Sequence, residues 1–291
     1  MPDGIIIIDK PTGWTSMDVC AKLRGILREK RIGHAGTLDP MATGVLPVFV
    51  GRATKAVQFA ENGRKEYRAV LKLGTVTDTQ DTTGAVLEAH PVTVGADEVR
   101  AALEHFTGEL LQLPPMYSAL KVNGQKLYDL ARQGKTVERK PRAITVYELE
   151  LLEQSAPDEF ALRVVCSKGT YIRTLCHDIG AALGCGGVMS ALRRTEVGGY
   201  RVEDAHTMDE LCALPREAAQ RLLLSVDSLW PDAPQVTVDA KAERLARCGN
   251  PFTLSAPDGT YRIYAASGEF LLLAQVTDGT AVTIKSFFEV S

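Results

Sequence analysis

The stretch Arg31 to Pro47, R-I-G-H-A-G-T-L-D-P-M-A-T-G-V-L-P, constrains the fold more than any other part of this chain. Gly33, Gly36 and Gly44 permit backbone conformations and close approaches that a Cβ forbids, while Pro40 and Pro47 each restrict φ and remove a donor. An isolated Asp39-Pro40 pair would read as a turn. Here the apolar run Val45-Leu46-Pro47-Val48-Phe49-Val50 follows directly and reads as a buried strand, which ties the loop to a core. Asp39 is thus a carboxylate on a stiff mount, and a candidate catalyst.

A chain of 291 residues with 45% apolar composition has the length for roughly two domains and ample material for packed cores. Its six cysteines form no C-x-x-C pair, and its five histidines show no metal-ligand spacing, so no metal is expected. The run Ile5 to Ile8 is far too short to span a bilayer, and no N-terminal segment has the form of a signal peptide. A cytoplasmic protein without membrane contact is the expectation.

The net charge of −3 hides two basic clusters: residues 22–31 sum to +4 and residues 117–142 to +5. A charge run is usually a solvated face, but two such runs on an otherwise acidic chain suit docking to a phosphate backbone.

Local patterns give a coarse layout. Gly4 to Lys10 reads as a strand, and Thr15-Ser16 caps a helix whose stripe is Met17, Cys20, Leu23 and Leu27. Glu66 to Leu73 alternates as a strand, Gly74 to Gly84 is a polar loop, and Asp97 to Phe106 is a short helix. After Leu113-Pro114-Pro115 a basic segment rich in turn formers, including Asn123-Gly124, reads as a projecting insertion over about 114–142. Strands follow at Ile144 to Leu152 and Phe160 to Cys166, with helices at Thr170 to Leu183 and Met208 to Leu224. The segment 230–234 reads as a linker, and residues 235–291 as a small β domain with strands near 261–265, 270–276 and 281–287. The whole is an α+β fold: a mainly antiparallel mixed sheet flanked by helices in residues 1–230, a basic insertion, and a C-terminal β domain.

Five segments line up in order: Lys10-Pro11-Thr12-Gly13-Trp14-Thr15-Ser16, the Gly33 to Pro47 loop, Lys65-Glu66-Tyr67-Arg68-Ala69, Pro114 to Lys121 (P-P-M-Y-S-A-L-K), and Lys168-Gly169-Thr170-Tyr171-Ile172-Arg173. Together they closely resemble the bacterial tRNA pseudouridine(55) synthases, the TruB family. The resemblance runs to about Tyr200, and the C-terminal residues are similar to that family's PUA module. It implies isomerisation of uridine to pseudouridine at position 55 in the tRNA T loop, on an extruded base, with no cofactor, metal or protein partner. It makes Asp39 the nucleophile, Arg173 the cation that keeps Asp39 charged, Tyr67 the stacking partner of uracil, and Tyr171 the back of the pocket. Leu192 becomes an apolar wall, His34 an RNA-facing contact, and Lys10 with Pro11 the pocket floor; Lys121 and Arg132 lie on an insertion that closes over the T arm.

Two rivals stand beside this reading. One is an RNA-guided pseudouridine synthase of the same superfamily, and the other a non-catalytic tRNA-binding or folding protein in which Asp39 only caps a turn. A phosphate-loop enzyme is excluded, because neither G-x-x-x-x-G-K-[ST] nor a dinucleotide glycine pattern occurs.

Overall fold

Four consecutive isoleucines suit a strand buried on both faces, and that is where they lie. In the computed structural model, which describes residues 2–60, 63–122 and 124–288, strand β1 (Gly4–Lys10) packs Ile6 and Ile8 under helix α1 (Ser16–Leu27). Ile5 and Ile7 face the opposite way, into a cluster that includes Trp230, Phe270 and Phe287.

Nine further strands complete the sheet among the described residues: β2 (Ile32–His34), β3 (Thr43–Val50), β4 (Lys65–Leu73), β5 (Gly108–Gln112), β6 (Arg142–Ala156), β7 (Glu159–Cys166), β8 (Gly187–Val197), β9 (Tyr200–Arg201) and β10 (His206–Thr207). The order is β10-β1-β3-β8-β4-β7-β6-β5, with β2 on β3 and β9 on β8. Only the β1/β10 and β3/β8 pairings are parallel among the described strands of this sheet. The α+β class and the mainly antiparallel sheet are therefore as expected. Helices α2 (Ala96–Leu103), α3 (Leu127–Arg132) and α4 (Ile172–Ala182) accompany it, and α4 supplies Ile172, Leu175, Cys176 and Ile179 to the core beneath β4, β7 and β8.

Several expectations need correction. Thr15 does cap α1, with a reciprocal Asp18 bond, but the buried stripe is Ser16, Val19, Cys20, Leu23 and Leu27, and Met17 is exposed. The stripe shifts because Ser16 is drawn inward to hold the backbone of Leu38. The polar loop before Val86 carries a small hairpin, Thr75–Thr77 with Val86–Ala89. The insertion does not simply project: Pro114, Pro115 and Ser118 are buried, and Arg173 of α4 holds the Tyr117 carbonyl. Asn123, half of the expected Asn-Gly turn, lies outside the described residues. The linker is no free spacer either, since the Trp230 ring lies 5.4 Å from Phe59 and 5.8 Å from Phe287.

Beyond Trp230 come β11 (Gln235–Thr237), β12 (Phe252–Thr253), β13 (Gly259–Tyr264), β14 (Phe270–Thr277) and β15 (Thr280–Ser286), in the order β11-β13-β14-β15-β12. A helix at Ala240–Arg247, absent from the sequence reading, packs against this sheet.

Candidate active site

Two glycines of the opening stretch are needed for its shape. Gly36 has φ +73°, and Gly44, at φ +99°, would place a Cβ 2.1 Å from the carbonyl oxygen of Arg194 on β8. Gly33 lies in β2, where a Cβ would meet only Val57 Cγ2 at 4.0 Å, and carries no such demand.

The loop between β2 and β3 is then pinned from several directions. Ser16 Oγ donates to the Leu38 carbonyl (3.2 Å) and accepts from the Leu38 N–H (3.0 Å). The Gly13 N–H donates to the Pro40 carbonyl at 2.8 Å, and Thr12 Oγ1 to that of Met41 at 3.3 Å. From β8, Arg194 donates to the carbonyls of Val45 (2.7 Å) and Gly36 (2.9 Å) and is almost wholly buried. A planar guanidinium suits this task because its fixed fork fills diverging carbonyls at once.

Asp39 stands at the tip of this braced loop and opens into a cleft of about 710 Å³. Arg173, from the first turn of α4, is only 5% exposed. Its Nε meets Asp39 Oδ2 at 3.0 Å and its Nη2 donates to Oδ1 at 3.4 Å. The same guanidinium donates to the Thr79 carbonyl (3.2 Å) and the Tyr117 carbonyl (2.8 Å), with Nη1 3.6 Å from Asp81 Oδ2. Asp81 is itself caged, accepting from Thr79 Oγ1, the Thr83 N–H and Thr83 Oγ1. Arg173 is thus a buried hub between two carboxylates and not a surface helix charge.

Electrostatically the site is poised. Burial pushes the Asp39 carboxyl above its ordinary range and Asp81 adds to the push, while Arg173 and Lys10 oppose it. Its side chain remains 37% exposed to the cleft. Such a carboxylate is accessible and poorly hydrated, which favours its use as a nucleophile or base.

Two tyrosines flank it. Tyr67, on β4, lines the cleft; burial raises its phenol, and the neighbouring Arg194, its cross-strand partner on β8, pulls the other way. Tyr171 immediately precedes α4 and also lines the cleft, its phenol raised by burial. Leu192 supplies an apolar wall, and Arg132 reaches the rim from the insertion.

Three expected contacts fall elsewhere. Lys10 is not on the pocket floor: it is wholly buried behind the loop, and Nζ donates to the carbonyls of Pro11 (2.9 Å), Trp14 (2.6 Å) and Pro40 (3.3 Å). An ammonium has three protons, and all are directed to backbone oxygens. His34 sits half-buried on β2, away from the cleft lining. Lys121 lines a separate groove of about 630 Å³ in the insertion, with Lys126 and Arg132. Conversely, Lys65, Asp81, Tyr117, Ser118 and Arg194 line the cleft and were not singled out. Period-two alternation held the signal for two of them, since Lys65 shares a strand face with Tyr67, and Arg194 with Leu192.

Burial lowers the Lys10 pKa to about 8, with Asp39 and Asp18 opposing. As pH rises through that value, one donor is lost from the clasp on Pro40, beside Asp39. The expected result is a loss of activity on the alkaline side near pH 8. Global unfolding is not the cause: between about 8 and the ordinary lysine value the unfolded chain binds more protons, so linkage raises stability with pH. A rate profile measured alongside far-UV circular dichroism checks this, and a rate level up to about 10.4 contradicts it.

The geometry can be set against known proteins. Residues 24–172 match the family model of the TruB family pseudouridylate synthase N-terminal domain, and residues 173–230 that of the tRNA pseudouridylate synthase B C-terminal domain. The chain belongs to the TruB family. The boundary between the two TruB models falls between Ile172 and Arg173, inside one structural unit, so both halves contribute to a single cleft. A tRNA pseudouridine synthase B of Francisella philomiragia is 44% identical over 290 residues, covering 99% of this chain and 95% of that one. One from Alkaliphilus oremlandii is 50% identical over 225 residues, covering 77% and 74%. Among solved structures, that of a Cbf5-Nop10-Gar1 complex matches with a TM-score of 0.73 and 28% identity, over 99% of this chain and 85% of that one. Among the described residues of this TruB-family chain, no group of side chains is arranged to hold a metal ion, and no helix is long and apolar enough to cross a membrane.

Proposed function

We propose that this chain isomerises uridine to pseudouridine at position 55 of tRNA, in the T loop, with Asp39 acting on the extruded nucleoside. The observation that carries the reading is a part-exposed carboxylate, braced by a buried arginine, in a cleft whose lining includes Tyr67 and Tyr171, with Arg132 at its rim. The curated relatives of similar length are named tRNA pseudouridine synthase B, which supplies the substrate class.

In this reaction the bond from N1 to C1′ breaks, C5 joins C1′, the C5 proton leaves and N1 gains a proton, so nothing external is consumed. The chemistry needs a group that acts on the nucleoside and a pocket that retains the detached ring. Asp39 takes the first role, and Arg173 keeps it ionised. Tyr67 offers a face on which the base stacks while it turns, Tyr171 backs the pocket, and Leu192 closes it with an apolar wall. Extruding the uridine costs a few kcal/mol of stacking, offset by phosphate contacts. Arg132 at the rim, Lys121 and Lys126 in the adjacent groove, and exposed Lys22, Arg28, Lys30 and Arg31 are the cations for this. We assign residues 1–230 to the catalytic unit and 235–291 to a second RNA-contacting unit; Lys10 fixes the backbone behind the Asp39 loop.

Incubating the purified chain with a bare tRNA transcript tests the reading. Conversion of the T-loop uridine without a guide RNA or second protein is the expected result, whereas conversion only after adding such components would favour the RNA-guided rival. Raising salt from 50 to 200 mM is expected to weaken tRNA binding by about 10³-fold, through release of condensed counterions. A flat filter-binding titration over that range would remove the two basic clusters from the docking surface.

A further inference from the structure

Gln112 is the last residue of β5, the edge strand of the large sheet, and it directly precedes the Leu113-Pro114-Pro115 root of the insertion. It is a polar side chain with only 5% exposure, and it does not line the cleft. Its amide makes a complementary pair with one residue: Nε2 donates to the Tyr171 carbonyl at 3.0 Å, and Oε1 accepts from the Tyr171 N–H at 2.8 Å. A side-chain amide carries the same donor and acceptor as a peptide, so Gln112 pairs with Tyr171 as a neighbouring strand would.

The position matters because Tyr171 is the extended residue immediately before α4, at φ −98° and ψ 108°, and no side-chain hydrogen bond caps the helix there. The Tyr171 carbonyl also accepts the helical bond from the Leu175 N–H. The direction in which α4 leaves this residue sets where Arg173, two residues on, points its guanidinium. Arg173 in turn holds Asp39 and the carbonyl of Tyr117 inside the insertion. Gln112 therefore ties the root of the insertion and the start of α4 into one rigid corner.

We propose that Gln112 is a positioning residue for the isomerisation: its two bonds to the backbone of Tyr171 set the ring of Tyr171 and the guanidinium of Arg173 relative to Asp39. The proposal rests on the functional reading above and assigns Gln112 no contact with substrate. Small displacements of a reacting group lower rates steeply, by about 10²-fold for a misplacement near 1 Å.

Two substitutions test it, each in the full-length chain with tRNA transcript under single-turnover conditions. Gln112→Met keeps the side chain's length and loses both bonds. The expected result is a rate about 30-fold lower, with the tRNA dissociation constant within about twofold of wild type. Gln112→Glu supplies a pH signature. When ionised, its carboxylate accepts from the Tyr171 N–H but repels the Tyr171 carbonyl; when protonated, it again offers one donor and one acceptor. The ratio of its rate to the wild-type rate at the same pH should therefore rise by about tenfold as pH falls from 8 to 5.5, a trend that a space-filling role alone does not produce.

A wild-type rate in Gln112→Met, a loss of rate matched by an equal loss of tRNA affinity, or a Glu-to-wild-type ratio independent of pH would each overturn the proposal. The broader reading fails separately, through an inactive wild-type chain or a fully active Asp39→Asn variant.

Discussion

Replacing Asp39 by Asn is expected to lower the single-turnover rate of pseudouridine formation by about 10⁴-fold or more, while tRNA binding stays within about threefold of wild type. The substitution keeps shape and volume and removes only the charge and basicity of the side chain. The loop does not depend on that charge for its form, because its braces are backbone carbonyls and N–H groups held by Ser16, Gly13, Lys10 and Arg194. Binding is distributed over cations outside the cleft, so it survives. Electrophoretic mobility shifts and product analysis on the same preparations separate the two quantities. A rate near wild type would leave Asp39 as a turn residue.

The second large effect concerns Arg173. Changing it to Met is expected to reduce the rate by about 10² to 10³-fold. It should also move the acidic inflection of the rate profile upward. The sign follows from the balance at Asp39: burial and Asp81 already raise its pKa, and Arg173 is the largest opposing influence. Without the guanidinium, a smaller fraction of Asp39 is ionised at a given pH, so raising the pH should recover part of the activity. An inflection that stays in place or moves down would contradict the role given to Arg173. Because Arg173 also holds the carbonyls of Thr79 and Tyr117, thermal melting of the variant checks that the chain still folds.

Legibility in the sequence differed by residue, for physical reasons. The Asp39 loop was readable because glycine, proline and an apolar strand fall in one short window, where backbone restriction is a local property. The strand face carrying Tyr67 was readable from alternation, which one step further reaches Lys65, whereas Leu192 came only from the family resemblance and its strand, with Arg194, was not read. A charge on an inward face was passed over because such residues usually snorkel or lie outside. Asp81 and Gln112 gave no local sign. Asp81 sits in a Thr-rich polar loop that reads as an ordinary turn, and its approach to Arg173 depends on a long-range arrangement of β8 and the Thr75–Thr77 hairpin. The pocket-floor role of Lys10 rests on the family resemblance alone. Burial reverses its direction, since its ammonium is satisfied by the carbonyls behind Asp39. The four-isoleucine run identified a strand, but only the second sheet packing through Trp230, Phe270 and Phe287 explains why both faces are apolar.

The central claim is that the carboxylate of Asp39 carries out the chemistry on the T-loop uridine. Nucleotide-resolution mapping of pseudouridine in one tRNA transcript, exposed in parallel to the wild-type chain and to Asp39→Asn at equal occupancy, tests it most directly. The account requires full conversion at position 55 with the wild type and an unmodified uridine there with the variant. Conversion by the variant, or wild-type product only at another nucleotide, would contradict it.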